Sequence, residues 1–534
     1  MSLAFRASAA DARLPWLNVA AVLGLLTAWQ AVVQFVYSGS GTIPTPVEIV
    51  RQFGHDGPIL YLASAAPTIR GAALGWLWGN GAAIVLAMAA VLVPSLARPI
   101  LQLGVVSFCL PVVAIGPMLT IVFAGDTPRV VLAALAVFFT TLVGAMLGLR
   151  AADPTALDLV RVFGGRPIDG LVKVRMRAAL PNLFAALRIA SPAAILGAMV
   201  AEFLGAENGL GVLLINSQQA LNYSRTWAIA LLATGVAGAA YGLTALVGRL
   251  ATPWARETAV NLAASVDAIS DREPRRGLRA VGAPLASILL LLVLVVAVWE
   301  GLLHFFAISP FIGKGPLDVW SWLANPDTGA DNRAQLMSEA LISFRDASIG
   351  LAAGSTAAVA TAIAFSVSPV LRRTLMGPAL ALQSVPLIAV TPIIVLIFGR
   401  SLLAIAVIGS MVTFFPTLVN VSLALQRTPR QIMDLMFVFG ASRAAQLRKA
   451  QLPAALPSLF SSLRIAAPLA VTGAMLAEWL ATGEGLGYAM LSASAQSDYD
   501  GLWARVAVAT LFSLSLYKAI GAAERAVVAL LFEA

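Results

Sequence analysis

Twelve long apolar runs limit what this chain can fold into. They fall at about 15–37, 68–93, 99–124, 129–149, 183–206 and 226–250, then at 281–307, 344–368, 374–398, 401–425, 459–482 and 503–530. A helix needs about 20 apolar residues to cross the hydrocarbon of a bilayer. The runs are continuous and lack the roughly ten-residue alternation of barrel strands. Charged residues make up 11% of the 534 positions, against about 25% in soluble domains. The expected fold is an all-α polytopic membrane protein with about 12 transmembrane helices. A soluble enzyme, a disordered chain and a fibrous repeat are excluded. The excess of 35 Lys and Arg over 26 acids reads as the basic bias of cytoplasmic loops, not as a nucleic-acid surface. One cysteine, Cys109, and two distant histidines, His55 and His304, write no disulfide framework and no metal cluster. The run that starts at Pro15 is long for a cleaved signal and is expected to stay as a helix.

The runs form two sets of six, and the sets are copies. Trp29-Gln30 matches Trp299-Glu300 and Pro46 matches Pro316, at an offset of 270. Arg70, Gly75, Gly79, Pro94 and Arg98 recur at 275 as Arg345, Gly350, Gly354, Pro369 and Arg373. From Phe163-Gly164 onward the offset is 276: Leu187-Arg-Ile-Ala190 returns as Leu463-Arg-Ile-Ala466, and Gly209-Leu-Gly211 as Gly485-Leu-Gly487. The chain is a tandem duplication of a six-helix unit. We expect a first repeat at 1–251, a polar linker at 252–280 and a second repeat at 281–534. Six helices per unit make the repeats parallel, related by an axis along the membrane normal.

Basic residues orient the chain. The fourth and fifth runs are joined by loops at 151–182 and 427–458, rich in Arg and Lys, and the linker adds Arg256, Arg272, Arg275, Arg276 and Arg279. Both termini, the linker and both loops are therefore expected on the cytoplasmic side. In the first loop Leu157, Val160 and Phe163 recur at spacing three, which predicts a short amphipathic helix. Gly164-Gly-Arg-Pro167 breaks it, a second helix runs through Leu171–Ala179, and Pro181 marks entry to the next span. The second loop repeats this plan through Ile432–Phe439, Gly440-Ala-Ser442 and Ala444–Gln451. Two such knobs on one face suit the transmission of a push from a partner.

These loops resemble the "EAA loop" in permease subunits of ATP-binding-cassette importers. That pattern sets an acid six residues before a glycine, with Leu-Pro about a dozen residues further on. Asp158 precedes Gly164 by six, Asp434 precedes Gly440 by six, and Leu452-Pro453 follows. The resemblance covers nearly the whole chain, twice. Pro44-Thr-Pro46 and the two Gly-Leu-Gly motifs resemble the nitrate, sulfonate and taurine branch. The loops depart from the pattern in two ways. Glu-Ala-Ala is Asp158-Leu-Val160 and Asp434-Leu-Met436, and the first loop has Met176-Arg177 in place of Leu-Pro.

The resemblance implies contacts with an ATPase at Asp158, Arg161, Gly164, Gly165, Asp434, Gly440, Ala441, Ser442 and Pro453. It implies two copies of a cytoplasmic ATPase, a periplasmic or lipid-anchored solute-binding protein, and a bacterial inner membrane. Its solutes would be small organic anions such as sulfonates, or vitamin precursors. The chain itself has no phosphate-binding loop, since Gly313-Lys-Gly315 lacks the required spacing. ATP and Mg are thus expected in the partner ATPase, with no cofactor or metal here and no catalytic residue. The alternative is an ion-coupled secondary carrier, which also uses two parallel six-helix repeats.

Polar residues inside the runs are candidates for the translocation pathway. Glu202 and Glu478 lie late in the fifth run of each half, where an ionisable group is costly. They read either as pathway carboxylates or as interfacial acids bonded to the following glycine turn. The third runs carry Pro111 and Pro386, with Ser107 and Thr120 in the first half and Gln383, Ser384 and Thr391 in the second. Proline frees backbone carbonyls that must be satisfied by a neighbour or line a cavity, so these runs are expected to be kinked and to face the pathway. Trp227 and Trp503 are expected in an interfacial belt, and Arg188 and Arg464 as snorkelling to headgroups.

Overall fold

A computed structural model describes residues 15–36, 43–255, 279–382 and 387–532. Among these residues there is no strand, and the helices repeat in one order in the two halves. The first half contains α1 (Pro15–Val36), α2 (Pro46–Asp56), α3 (Pro58–Leu92), α4 (Ala97–Cys109), α5 (Val112–Val122) and α6 (Thr127–Arg150). It continues with α7 (Pro154–Val162), α8 (Pro167–Gly170), α9 (Met176–Phe203), α10 (Leu210–Gln219) and α11 (Tyr223–Ala251). The second half runs α12 (Arg279–Phe305), α13 (Pro316–Ala324), α14 (Gly329–Val367), α15 (Pro369–Leu382), α16 (Leu387–Phe398) and α17 (Leu402–Gln426). It ends with α18 (Arg430–Val438), α19 (Arg443–Gln446), α20 (Leu452–Ala477), α21 (Gly485–Ala495) and α22 (Tyr499–Phe532). Each helix of the second half is numbered eleven above its counterpart.

Eight of the described helices are long and apolar enough to cross a bilayer. They are α3, α6, α9 with its lead-in from Pro167, α11, α14, α17, α20 with its lead-in from Arg443, and α22. The helices α1 and α12, and the pairs α4–α5 and α15–α16, take the other four places in the expected order of twelve.

The third run differs from expectation: it is broken and not merely kinked. The chain bends by 88° between α4 and α5. Leu110 and Pro111 are extended there, with ψ of 110° and 119°. Pro111 cannot continue a helix because it has no N–H and biases the residue before it towards extended backbone. In the second half Gln383, Ser384 and Pro386 lie outside the described residues.

The break lets each half reach into the other. α4 packs on α12 and α22, and α5 on α20, α21 and α22. Reciprocally α15 packs on α1, and α16 on α9, α10 and α11. Leu387 and Ile394 of α16 thereby share one apolar core with Leu210, Ile229 and Ala233 of the first half. Ala114 and Met118 of α5 share another with Ala470, Met475 and Leu486. Within each half, α6 or α17 runs between two neighbours at close range. A Cβ on Gly75 would overlap Ala133 and the Val130 carbonyl, and Gly350 meets Gly409 backbone to backbone. Small residues allow that approach, which is how helices associate where lipid removes the hydrophobic incentive.

Candidate functional site

A knob follows α6 in the first half and α17 in the second. α7 starts at Asp153, whose side chain caps the helix by accepting from the Thr155 N–H at 2.9 Å. It ends at Gly164, with φ of +74°, and its counterpart Gly440 has φ of +67°. Both turns close in one way. The Gly165 N–H donates to the Val160 carbonyl at 2.8 Å, and the Ala441 N–H to Met436 at 2.9 Å. A left-handed residue at the helix end favours glycine because it has no Cβ. The next helix starts at Pro167 in one half and at Arg443 in the other, where Ser442 caps by accepting from the Ala445 N–H.

Pro181 does not mark the entry to the span as expected. From α8 the chain passes through a five-residue π turn, Leu171–Arg175, straight into α9, and Pro181 lies inside that helix. The second half does the same through Leu447–Gln451, so Pro453 stands in the first turn of α20. The π turn occurs with Met176-Arg177 as well as with Leu452-Pro453, so proline does not cause it. The knob is therefore continuous with a spanning helix, and a displacement of α7 has a stiff path into the membrane. Arg175 Nη1 donates to the Leu149 carbonyl at 3.0 Å, fastening the knob to the end of α6.

Neither α7 nor α18 buries a single residue. Asp158 pairs with Arg161 at 2.8 Å on the surface of α7, and Asp434 is exposed on α18. Leu157 and Val160 turn inward towards Gly170 and Gly165, but Phe163 does not join them. Val162 and Phe163 are both 82% exposed, and Val438 and Phe439 are 79% and 80% exposed. Leu159 and Leu435 are exposed beside them. Spacing alone placed Phe163 on the inward face; the helix ends one residue before it, and the turn swings it out. Exposed apolar side chains clustered on a polar rim mark an interaction surface.

Glu202 and Glu478 are wholly buried. Glu202 accepts from Thr68 Oγ1 and from the Gly211 N–H, both at 2.7 Å, and Thr68 accepts from the Leu210 N–H at 2.9 Å. Glu478 likewise accepts from the Gly487 N–H at 2.7 Å, and Ser343 from the Leu486 N–H at 2.9 Å. The carboxylates thus staple the N-terminus of α10 or α21 to the spanning helices. A Cβ on Gly209 or Gly485 would overlap the carboxylate, which accounts for the first glycine of each Gly-Leu-Gly. Thr68 and Ser343 are partners that apolar patterning hid; their matching offset of 275 was the available signal.

The staples differ in charge. Arg129 of α6, 3% exposed, sets Nε 3.4 Å from Glu202 and bonds Asp126 and Asn208. Asp126 also pairs with Arg70. In the second half Ile405 takes the place of Arg129, in register with the helix contacts of Leu132 and Ile408. Asp346 occupies the position of Gly71, next to Glu478, and its charge repels that of Glu478. Arg345 bonds Asp346 at 2.8 Å, while Asp346 Oδ2 and Glu478 Oε1 have no hydrogen-bond partner among the described residues.

The other pathway candidates are bonded locally. Ser107 donates to the Gly104 carbonyl, Thr120 to Pro117 and Thr391 to Leu387, at 2.8–2.9 Å. The tryptophans sit between helices. Trp503 stacks on Trp299 and donates to the Ile312 carbonyl at 2.8 Å, and Trp227 packs on Trp29.

Comparison with known proteins agrees with this architecture. The family model "Binding-protein-dependent transport system inner membrane component" matches twice, at residues 79–257 and 350–529, about two thirds of the chain. The formylaminopyrimidine transport permease protein ThiX of Halalkalibacterium halodurans is 35% identical over 173 residues, 32% of this chain and 69% of that one. The riboflavin transport system permease protein RibX of Chloroflexus aurantiacus is 35% identical over 154 residues, 29% of this chain and 58% of that one. The putative aliphatic sulfonates transport permease protein SsuC of Bacillus subtilis is 27% identical over 202 residues, 36% of this chain and 71% of that one. The secondary carrier is set aside by these matches. The chain belongs to the family of binding-protein-dependent transport system inner-membrane components, the permeases of ATP-binding-cassette importers, and carries that permease unit twice.

Proposed function

We propose that this chain is the whole translocation unit of an ATP-driven importer, with one ATPase docked on each knob. The observation that carries the reading is the pair of matching helix–glycine turns that bury nothing and expose Leu159, Val162 and Phe163, or Leu435, Val438 and Phe439. Two knobs ask for two ATPase copies, with ATP and Mg held there. Asp158, Arg161, Gly164 and Gly165, and Asp434, Gly440, Ala441, Ser442 and Pro453, form the docking surfaces. ATPase closure pushes the knobs, the π turns pass the motion to α9 and α20, and the interleaved halves rock between two access states. A solute-binding protein delivers to the opposite face, near α2, α10, α13 and α21. The Arg- and Lys-rich loops support a cytoplasmic side for both knobs and both termini, in a bacterial inner membrane. The repeats span 1–251 and 281–534, joined by the linker at 252–280.

The solute is small. Relatives that carry pyrimidine and riboflavin names reach 35% identity, and the sulfonate relative 27%. A vitamin precursor is therefore favoured over a sulfonate. Pathway groups are assigned to the broken third spans and the staples: Ser107, Pro111, Thr120, Glu202, Gln383, Ser384, Pro386, Thr391 and Glu478. Affinity purification of the tagged chain from its own membranes, with partner stoichiometry by mass spectrometry, tests the reading. Two ATPase copies per chain, lost on changing both Asp158 and Asp434 to Lys, are expected. A chain that moves solute alone in liposomes without ATP would overturn it.

A further inference from the structure

The two halves diverge sharply at one place. Arg188 of α9 lies over the Tyr241 ring of α11, 5.2 Å from its centre, and Arg464 of α20 lies over Tyr517 of α22 at 4.6 Å. Both pairs stand at the offset of 276. In the second half the guanidinium faces a carboxylate. Glu524 Oε2 is 3.9 Å from Arg464 Nη1, and Glu524 Oε1 accepts from Ser461 Oγ at 2.8 Å. The corresponding first-half residues are Gly248 and Ala185. Both the acid and the hydroxyl that holds it are gone, while the arginine and the tyrosine remain.

What stands there instead is a cavity of about 260 Å³ between α9 and α11, lined by Arg188, Arg249, Gly248, Phe184 and Thr252 among others. Arg188 Nε and Arg464 Nε are both buried with no hydrogen-bond partner among the described residues; what Arg188 lacks is the carboxylate that Glu524 sets 3.9 Å from Arg464 Nη1. A buried charged donor without an acceptor costs more than an ordinary lost hydrogen bond. Two arginines at one opening, with glycine where the second half carries the carboxylate of Glu524, suit an anion from outside the chain. The planar fork of arginine matches the oxygens of phosphate in particular. The site lies between α9 and the C-terminal end of α11, in the half of α9 nearer the basic loop. Basic pockets between spanning helices on that side suit lipid headgroups.

We propose that this cavity binds a phosphate-type anion through Arg188 and Arg249, and that the anion does for the first half what Glu524 does for the second. A phospholipid headgroup and free phosphate share this chemistry, so the experiment separates them. Thermal unfolding of the full-length chain in detergent is followed during titration with phosphatidylglycerol, with diacylglycerol of the same acyl chains, and with inorganic phosphate. Phosphatidylglycerol is expected to raise the unfolding temperature and diacylglycerol to leave it unchanged. Arg188→Gln should weaken half-saturation about tenfold, the equivalent of one charge-assisted hydrogen bond.

The double variant Ala185→Ser, Gly248→Glu installs the internal carboxylate of the second half. A Cβ at 248 meets Phe184 at 3.1 Å, and the second half carries Phe460 at the matching position beside Glu524, so the change fits with a small shift. This variant should unfold no lower than the parent without lipid and should lose its response to phosphatidylglycerol. Stabilisation by inorganic phosphate alone, with competition against the lipid, supports the site with a free anion as its ligand. Stabilisation by the phospholipid alone supports a headgroup. Equal stabilisation by diacylglycerol, or an undiminished phosphatidylglycerol response in both variants, overturns the proposal. Should the double variant fail to fold, the Arg188→Gln titration decides.

Discussion

A duplicated chain supplies its own control at the residue scale, because most positions have a partner in another context. Glu202 and Glu478 hold the same backbone turn, yet Glu202 faces the buried Arg129, while the charges acting on Glu478 are those of Asp346 and Arg345. Glu202→Gln removes one of the two carboxylates that face the buried Arg129 and leaves it Asp126, which should cost about 1–3 kcal/mol. Glu478→Gln keeps an acceptor for the Gly487 N–H and removes the repulsion from Asp346, so its cost should stay within about 1 kcal/mol. Denaturation of both variants in detergent checks the difference, and equal losses would show that Arg129 does not matter. At the end of α2, Arg225 holds the Asp56 carboxyl well below its usual range. The folded value is depressed, so this carboxylate stabilises the fold above the ordinary 3.8 and the benefit fades as pH falls further. The margin in unfolding temperature of the parent over Asp56→Asn should therefore be flat from neutral pH to about pH 5 and shrink below pH 4. A margin that grows on acidification would contradict the assignment.

At the scale of elements, the knobs join local turn chemistry to a long lever. Asp153, Gly164 and Gly165 could be read as cap and turn from their types alone, because capping and positive φ are local demands. The outward swing of Phe163 could not, since it depends on which residue ends the helix, and helix ends are uncertain by one or two residues. The π turns were also illegible: Leu171–Arg175 and Leu447–Gln451 share no residue pattern that sets them apart from an α-helix. Val162→Asp with Val438→Asp should abolish co-purification of the ATPase and leave the unfolding temperature within about 2 °C, because both side chains are exposed and surface changes are mild. Loss of both binding and fold together would mean that these residues pack within the chain.

At the scale of the molecule, the halves are exchanged as much as they are adjacent. α4 and α5 pack on the second half as well as on their own, and α15 and α16 likewise on the first. Residues 1–260 and 275–534, expressed together as separate chains, should co-purify as one complex. Either piece alone should be degraded or aggregate, since its exchanged helices would lack their partners. Stable single halves would show that the interleaving is dispensable.

The sequence by itself determined the class, the order of the described helices and the duplication. Those follow from apolar run length, residue identity at a constant offset, and the chemistry of glycine and proline in turns. Only the tertiary structure decided that α4–α5 bends by 88° into the other half, that Thr68 and Ser343 complete the carboxylate staples, and that Arg129 answers one of them alone. The proline at 111 announced a disturbance but not its angle, because the angle is set by which surfaces the two pieces bury. The staples joined residues 134 positions apart in sequence. A run of apolar residues records that a helix is in lipid; which faces meet, and which buried charge finds a partner, depends on packing between helices.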